Sequence, residues 1–316
     1  MKKILAIICV LLSLSCKSQE KEQINDTFIN ISEVKESVQF LTSDALKGRN
    51  TGTEGIEMAA NYIENIFNKN NIKPYFETYR DTFKVKDFVG SNIVGFIEGN
   101  DPELKNEIVV IGAHYDHIGF GKVIENDSIA NGANDNAAGT SAVLAFAEYF
   151  SNAKSNKRSI IFALFSGEEM GLLGSDHLAK KLKEQNVNLY TMLNFEMIGV
   201  PFKDRDYEAF VTGYDLSNMA EKMNAYIGSN YIGKSDVSVK YSLFKRSDNY
   251  PFYTAFNVPC QTISSCDLTN YDYYHHVDDE ADKLDYEHMS NLITAMIPAL
   301  VQICNSPTKE IKMNDE

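Results

Sequence analysis

The sequence predicts an α/β fold: a single-domain, three-layer α/β/α sandwich with a mostly parallel, mixed central sheet. Apolar runs of strand length at 107–112, 159–165 and 190–195 alternate with helical patterns at 137–150 and 170–184. This alternation is typical of parallel strands joined by helices that pack on both faces of the sheet. The first run is apolar on both of its faces, as expected of a strand that is covered on both sides.

The remaining elements follow from the spacing of apolar residues, which recur every 3.6 residues in helices and every second residue in strands. The longest pattern, 53–70, places apolar side chains at helical spacing from Ile56 to Phe67, whereas 75–88 alternates like an extended strand or hairpin. No repeat or Pro/Gly-rich linker follows residue 26, which favours one domain. The other predicted elements are helices at 34–41, 216–227 and 285–304 and strands at 92–97 and 260–263.

The N-terminus has the pattern of an export signal. Lys2 and Lys3 precede an apolar stretch, 4–14, that is too short to span a bilayer as a stable helix, and Cys16 follows small residues. The pattern resembles a bacterial lipoprotein signal, in which Cys16 would become the lipidated membrane anchor; a cleaved, secreted protein is the alternative. We therefore expect an exported protein, in the periplasm or at the outer membrane or cell surface.

Four segments are predicted along the chain. A signal peptide at 1–16 precedes a flexible tether at 17–30, whose polar composition is typical of chain that buries little apolar surface. A folded domain is expected at 31–306, and a polar C-terminal tail is expected at 307–316.

Charge and cysteine content limit the partners and the redox chemistry. The chain has 30 Lys and Arg against 44 Asp and Glu, a net charge of −14, whereas nucleic-acid binding depends on basic patches. A nucleic-acid partner is therefore not expected. In an oxidising compartment Cys260 and Cys266 could close a short loop as a disulfide, or these two and Cys304 could be free, partly buried thiols.

Five polar motifs supply the side chains of a metal site. Three of them come just after predicted strands, and the carboxyl ends of parallel strands meet at one edge of a sheet, where ligand sites form. Zinc binds His nitrogen and carboxylate oxygen, and two ions sharing a bridging carboxylate suit hydrolysis. The motifs are Gly112-Ala113-His114-Tyr115-Asp116-His117, Asn131-Gly132-Ala133-Asn134-Asp135-Asn136, Gly167-Glu168-Glu169, Asn194-Phe195-Glu196 and Tyr274-His275-His276.

Spacing within two of the motifs suggests a division of roles. Asp116, two residues beyond His114 in an extended segment, can point the same way and orient the imidazole. Glu168 and Glu169 are adjacent, so their side chains diverge. One of them can bind metal while the other accepts a proton from an activated water molecule.

Together with 41–49 and 51–55, these motifs resemble the co-catalytic zinc exopeptidases of metallopeptidase family twenty-eight. This family includes leucyl aminopeptidase and aminopeptidase Y, and glutamate carboxypeptidase II and glutaminyl cyclase are its relatives. The resemblance extends from Leu41 to about Leu284. It implies the zinc-peptidase type of sandwich, peptide substrates and two zinc ions per chain.

The resemblance also implies a role for each residue. Asp135 would bridge the two ions, and the peptide bond between Asp135 and Asn136 would be cis. Glu168 would be the general base and Asp116 would hold His114. The implied ligands are His114 and Glu196 for one zinc, and Glu169 and His275 for the other.

Three points stay open within the resemblance. His276 is the alternative to His275 as a ligand, and His117 is expected to be structural or to face solvent. Ser247, Asp248 and Tyr274 are candidate substrate-pocket residues. For Ser247-Asp248, a helix N-cap followed by core aromatics is an equally good interpretation.

Glu196 departs from the pattern, because aminopeptidases of this family usually have Asp there. The departure leaves open whether one zinc or two are bound, and it raises the alternative of a single-zinc glutaminyl-peptide cyclase. His114 and the absence of Trp disfavour that alternative, since such cyclases use an indole in the pocket. We expect a zinc-dependent aminopeptidase that uses a metal-activated water with Glu168 as base; a non-catalytic, receptor-like relative is a third hypothesis.

Overall fold

The structure, a computed structural model, describes residues 29–85 and 87–314. The predicted signal peptide with Cys16 and nearly all of the predicted tether lie outside these residues, so export and lipidation stay predictions. Among the described helices, none combines the length and apolar character needed to cross a bilayer.

The described chain alternates helices and strands as the sequence predicts. Its strands are β1 (Lys73–Pro74), β2 (Arg80–Val85), β3 (Phe88–Ile97), β4 (Ile108–His114), β5 (Gly119–Ile124), β6 (Asp127–Ala130), β7 (Ser159–Phe165), β8 (Leu189–Phe195), β9 (Ala209–Val211), β10 (Ile232–Gly233) and β11 (Cys260–Ser264). Its helices are α1 (Ile31–Leu41), α2 (Glu54–Lys69), α3 (Gly139–Ala153), α4 (Leu173–Glu184), α5 (Met219–Ile227), α6 (Asp236–Lys240), α7 (Asn249–Phe256) and α8 (Tyr286–Asn305).

Nine strands form one mixed sheet in the order β1-β3-β7-β4-β8-β11-β9-β10, with β2 paired to β3. The four central strands, β7, β4, β8 and β11, are mutually parallel. Strand β3 is antiparallel to β7 on one side, and β9 is antiparallel to β11 on the other. The carboxyl ends of the four central strands therefore open at the same edge of the sheet, as the sequence predicts.

Helices cover both faces of this sheet, which makes the three-layer sandwich. Side chains alternate across a strand, so Val109 and Ile111 of β4 pack into the core on one face and Val110 into the core on the other. The first core includes side chains of α1, α2, α3, α5 and α8, and the second includes those of α4 and α7. The continuous apolar run of β4 is explained by this double burial.

Helices α3 and α4 begin later than the sequence predicts, because irregular turns precede them; α5 also begins later, at Met219 rather than 216. Helix α4 begins at Leu173 rather than 170, since Gly171 (φ +100°) and Leu172 (φ +62°) lie in left-handed conformations. Before α3, a widened turn occupies Ala133–Ala138, and Asp135 has non-helical backbone angles within it. The turn before α4 follows the Glu168-Glu169 motif, and the turn before α3 contains Asp135. The spacing of apolar residues does not reveal such turns, so they could not be placed from the sequence.

The predicted polar tail packs against the domain as far as the structure describes it. Ile311 is buried, and its backbone N–H donates to the Tyr190 hydroxyl over 2.8 Å. Met313 pairs with Ser217 in an isolated bridge. Ile311 and Met313 among polar residues are too weak a pattern to predict these contacts from the sequence.

The three cysteines of the described chain are buried free thiols. Of the two alternatives for Cys260 and Cys266, the structure shows the free thiols rather than the disulfide. Burial raises the pKa of Cys266 and of Cys304 to about 12, so neither is a reactive thiolate at neutral pH.

Candidate metal centre

The centre lies at the carboxyl edge of the central strands. His114 is the last residue of β4, and β4 lies between β7 and β8 in the sheet. Glu168 and Glu169 follow the end of β7, and Glu196 follows the last residue of β8 directly. Three sequence motifs far apart in the chain therefore meet around His114 because their strands are neighbours.

A first cluster consists of His114, Asp135 and Glu196, whose potential ligand atoms all lie within 4.8 Å of one another. His114 Nε2 is 3.4 Å from Asp135 Oδ1, and this nitrogen is buried without a hydrogen-bond partner among the described residues. Buried polar atoms are rarely left unpaired in proteins. An unpaired imidazole nitrogen facing two carboxylates is the kind of donor set that zinc takes.

A second cluster consists of Asp135, Glu169, His275 and His117. His275 Nε2 lies 2.9 Å from Glu169 Oε2 and 3.3 Å from Asp135 Oδ2. His117 Nδ1 lies 2.9 Å from the other oxygen of the same glutamate, Oε1. Asp135 thus contributes Oδ1 to the first cluster and Oδ2 to the second, an arrangement that fits a carboxylate bridging two ions.

The structure separates His275 from its neighbour His276. The His276 ring turns away from both clusters; its Nδ1 accepts the Asp278 backbone N–H over 3.1 Å and lies 3.5 Å from Asp278 Oδ2. Of the two expectations for His117, structural or solvent-facing, the second is wrong, because His117 is fully buried beside Glu169. The peptide bond between Asp135 and Asn136 is cis, as the resemblance implied.

The loop that carries Asp135 is held by two buried charged residues. The Asp279 carboxylate accepts the backbone N–H groups of Asn134 (2.8 Å) and Asp135 (3.0 Å) and the Tyr271 hydroxyl (2.5 Å). The Arg49 guanidinium donates to the backbone carbonyls of Asn131 (2.5 Å), Gly132 (3.0 Å), Tyr115 (2.9 Å) and Leu41. Burial lowers the pKa of Arg49 to about 10, with the surrounding carboxylates opposing that shift, so this side chain stays charged.

Replacing Arg49 with methionine should lower the free energy of unfolding by about 3 kcal/mol or more, because each buried carbonyl left without a donor costs about 1 kcal/mol or more. Urea denaturation followed by circular dichroism measures the change. Arg80→Met is the control: Arg80 is partly exposed and pairs with Glu57 and Glu64, so its loss should cost less than about 1 kcal/mol. Equal costs for the two variants would show that Arg49 does not hold the loop.

Asp116 contacts His114 differently from the prediction that its carboxylate holds the ring. His114 Nδ1 is 3.2 Å from the Asp116 backbone carbonyl and 3.8 Å from the nearer carboxylate oxygen. The carboxylate accepts the Thr51 hydroxyl (3.1 Å) and the Glu168 backbone N–H (3.3 Å). Asp116 therefore connects the His114 strand end to the turn that carries Glu168.

Glu168 lies near the first cluster without belonging to it. Its carboxylate receives no hydrogen bond from the described residues. The carboxylate of Glu169, in contrast, is contacted by His117 and His275. Burial raises the pKa of Glu168 well above its usual range, and the nearby Glu196 and Asp248 raise it further while His114 opposes them. A carboxyl group with a raised pKa beside a metal cluster has the properties of a general base or acid.

The other carboxyl groups divide into two kinds. Burial raises the pKa of Glu196 and Asp248 to about 7 and that of Asp116 to about 6. For Asp135 and Glu169, burial is outweighed by contacts with the histidines, and the pKa falls below the usual range. So many buried carboxyl groups are hard to ionise together without added positive charge, and a divalent cation would supply it.

Ser247 and Tyr274, the candidate substrate-pocket residues, lie beside the first cluster. The Ser247 hydroxyl donates to Glu196, and both residues line a pocket together with Met197, Phe210 and Leu243. Asp248 is fully buried at the start of α7, and its side chain caps no backbone N–H. Asp248 therefore occupies the N-cap position of a helix that buries Phe252, as the N-cap interpretation predicts, but it forms no capping hydrogen bond. Ser247, in contrast, contacts the centre through Glu196.

Sequence reasoning missed three residues that shape the centre: Arg49, His117 and Asp279. Arg49 lies within the motif 41–49 that carried the resemblance, and Asp279 follows the His275 motif by a few residues. Their position in or near these motifs is the only sequence feature that could have indicated a role in the centre. Their partners, however, are loops far away in sequence, which a local pattern does not identify.

Comparison with known proteins agrees with this geometry. A family model described as "Peptidase family M28" matches residues 92–300, which hold all the residues of both clusters. The chain is similar to a probable zinc metalloprotease of Pyrenophora teres f. teres, with 29% identity over 178 residues that cover 53% of this chain and 36% of that protein. It spans between 24% and 44% of the lengths of the first curated relatives it matches.

Two solved structures show the same fold. An aminopeptidase of Legionella pneumophila, LapA, superposes with a TM-score of 0.69 at 22% identity, covering 88% of this chain and 73% of that one. The glutaminyl cyclase of Porphyromonas gingivalis superposes with a TM-score of 0.66 at 15% identity, covering 86% of this chain and 98% of that one. Because both activities occur on this fold, the fold alone does not choose between them.

Proposed function

Because the chain belongs to peptidase family M28, we propose that it is a zinc-dependent aminopeptidase that removes N-terminal residues from peptides. The observation that carries the proposal is the pair of clusters sharing Asp135, with the unengaged carboxylate of Glu168 beside them. His114, Glu196 and Asp135 would hold one zinc, and Glu169, His275 and Asp135 the other. Imidazole nitrogen and carboxylate oxygen donors at these positions fit zinc.

Zinc, when bound, would polarise the scissile carbonyl and lower the pKa of a water molecule. Glu168 accepts the proton of that water as it attacks the carbonyl and then delivers the proton to the departing amine. Its raised pKa suits both steps, since a proton taken up at neutral pH is retained until the amine leaves. Asp116 holds the backbone of this turn, and Ser247 orients Glu196 by donating to its carboxylate.

The charge around the centre supports recognition of an amine rather than a carboxylate. Six carboxyl groups lie in or beside the two clusters, and two divalent cations would leave a net negative charge when all six are ionised, because six negative charges outweigh four positive ones. They are Asp116, Asp135, Glu168, Glu169, Glu196 and Asp248. A free N-terminal ammonium is attracted to such a site, whereas a C-terminal carboxylate is repelled. The pocket lined by Ser247 and Tyr274 lies next to Glu196 and would take the side chain of the terminal residue.

Glutaminyl-peptide cyclisation is the second candidate, and the superposition on a glutaminyl cyclase is the observation that favours it. Hydrolysis is preferred because the first cluster, with His114, Asp135 and Glu196, offers a complete second set of donors. The chain also has no Trp to supply an indole to a cyclase pocket.

Incubation with synthetic peptides, followed by mass spectrometry, tests the proposal. A peptide with a free N-terminus and an amidated C-terminus should lose single residues from its N-terminus, and the N-acetylated peptide should stay intact. A Gln-initiated peptide distinguishes the candidates, because cyclisation releases ammonia and leaves the chain length unchanged. Chelation should stop the reaction and added zinc should restore it. Cleavage that is insensitive to chelation would refute the proposal.

A further inference from the structure

His117 is the one histidine near the centre to which the resemblance assigns no role. Its side chain is fully buried, and its Nδ1 lies 2.9 Å from Glu169 Oε1. His275 Nε2 lies at the same distance from the opposite oxygen, Oε2. The two histidines therefore contact different oxygens of one carboxylate.

Surrounding groups fix the His117 ring on several sides. Its backbone N–H donates to the Arg49 carbonyl over 3.3 Å, and the ring meets that of His275 at 5.7 Å between centroids. Gly132 packs so closely on the ring that a Cβ there would lie 2.5 Å from His117 Cγ. A ring held in this way has little freedom to turn Nδ1 away from Glu169.

The chemistry of the contact assigns its direction. The 2.9 Å between His117 Nδ1 and Glu169 Oε1 is a hydrogen-bond distance, and a carboxylate that binds metal through Oε2 is deprotonated, so Oε1 only accepts hydrogen bonds. Nδ1 is then the N–H donor. The buried Nε2, which has no partner among the described residues, carries only a lone pair in the neutral ring.

We propose that His117 is a positioning residue of the second cluster. Its Nδ1–H holds Glu169 Oε1, so that Oε2 stays turned toward His275 and Asp135 as the metal-binding oxygen. A carboxylate held through its outer oxygen keeps one orientation when the metal leaves and returns, which favours rebinding. The inference rests on the proposed function in one respect, namely that zinc is the bound ion.

A direct bond from His117 to the metal is the competing assignment. His117 Nδ1 is 3.9 Å from Asp135 Oδ2, whereas His275 Nε2 is 3.3 Å from the same oxygen. The potential ligand atoms of His117, Asp135 and Glu169 all lie within 4.8 Å of one another, which is why direct ligation has to be considered. His117 nevertheless approaches only Glu169 Oε1 to hydrogen-bond distance, which is the geometry of a hydrogen bond to a ligand. His275 approaches both carboxylates, as a ligand sharing an ion with them would.

Zinc binding by substituted proteins tests the proposal without relying on activity. Zinc per chain is measured by inductively coupled plasma mass spectrometry in solutions with buffered free zinc, for the wild type, His117→Ala and His117→Asn. Asparagine places an amide N–H near the position of Nδ1 and cannot replace an imidazole ligand. His276→Ala is the matched control, because His276 belongs to neither cluster and its Nδ1 accepts the Asp278 backbone N–H.

We expect His117→Ala to weaken one of two zinc sites by about 10–100-fold, the usual effect of removing a group that orients a ligand. His117→Asn and His276→Ala should bind zinc as the wild type does, and the unaffected site of His117→Ala reports that the variant is folded. Unchanged binding by His117→Ala would overturn the proposal. Equal loss in His117→Ala and His117→Asn would overturn it in favour of direct ligation. A wild type that binds no zinc would refute the proposed function itself.

Discussion

Replacing Glu168 with glutamine should abolish peptide hydrolysis while leaving the zinc content of the protein unchanged. Glutamine has the size of glutamate but cannot take up a proton, and loss of a positioned general base lowers turnover by about 10²–10⁴-fold. Glu168 touches neither His275 nor His117, whereas Glu169 contacts both. The substitution therefore removes proton transfer without removing a ligand.

The measurement is turnover of a free-N-terminal peptide at saturating substrate, together with zinc per chain. The adjacent substitution Glu169→Gln is the matched control, since it should lower both activity and zinc content. If Glu168→Gln kept more than a small fraction of wild-type turnover, or if it lost zinc as Glu169→Gln does, the roles of the two neighbouring glutamates would have to be exchanged or abandoned.

The fold was predictable because its strands are buried on both faces. β4, β7 and β8 are continuous apolar runs, and their helices follow at helical spacing, so the parallel sheet follows from local pattern. The candidate ligands were predictable for a related reason: polar residues directly after such strands must meet at one edge. His114 and Glu196 illustrate this, since each lies at the end of its strand.

The support of the centre was not predictable from local pattern. His117 reaches Glu169 across 52 residues of sequence, Arg49 reaches Gly132 across 83, and Asp279 reaches Asp135 across 144. Each contact depends on how loops pack, and loop packing leaves no periodic trace. For the same reason, the sequence did not predict that the backbone carbonyl of Asp116, rather than its carboxylate, is the nearer partner of His114.

Replacing Asp135 with asparagine should weaken both zinc sites together, each by more than about 100-fold, because loss of a direct ligand exceeds the 10–100-fold effect of losing an outer partner. Asp135 presents Oδ1 to His114 at 3.4 Å and Oδ2 to His275 at 3.3 Å. No other carboxylate among the described residues faces both histidines. Asparagine keeps the size of the side chain and removes its charge.

Variants that remove a ligand of only one zinc site test whether Asp135 is shared by both sites. Glu169→Gln should weaken one site and His114→Asn the other, whereas Asp135→Asn should weaken both. Thermal unfolding gives an independent readout, since zinc at about 100 times its dissociation constant stabilises a folded site by about 2.7 kcal/mol. Wild-type protein should melt at a higher temperature with zinc, and Asp135→Asn should not respond. If Asp135→Asn retained one site at wild-type affinity, the two clusters would be separate sites, and the departure at Glu196 would then point to a single-zinc enzyme.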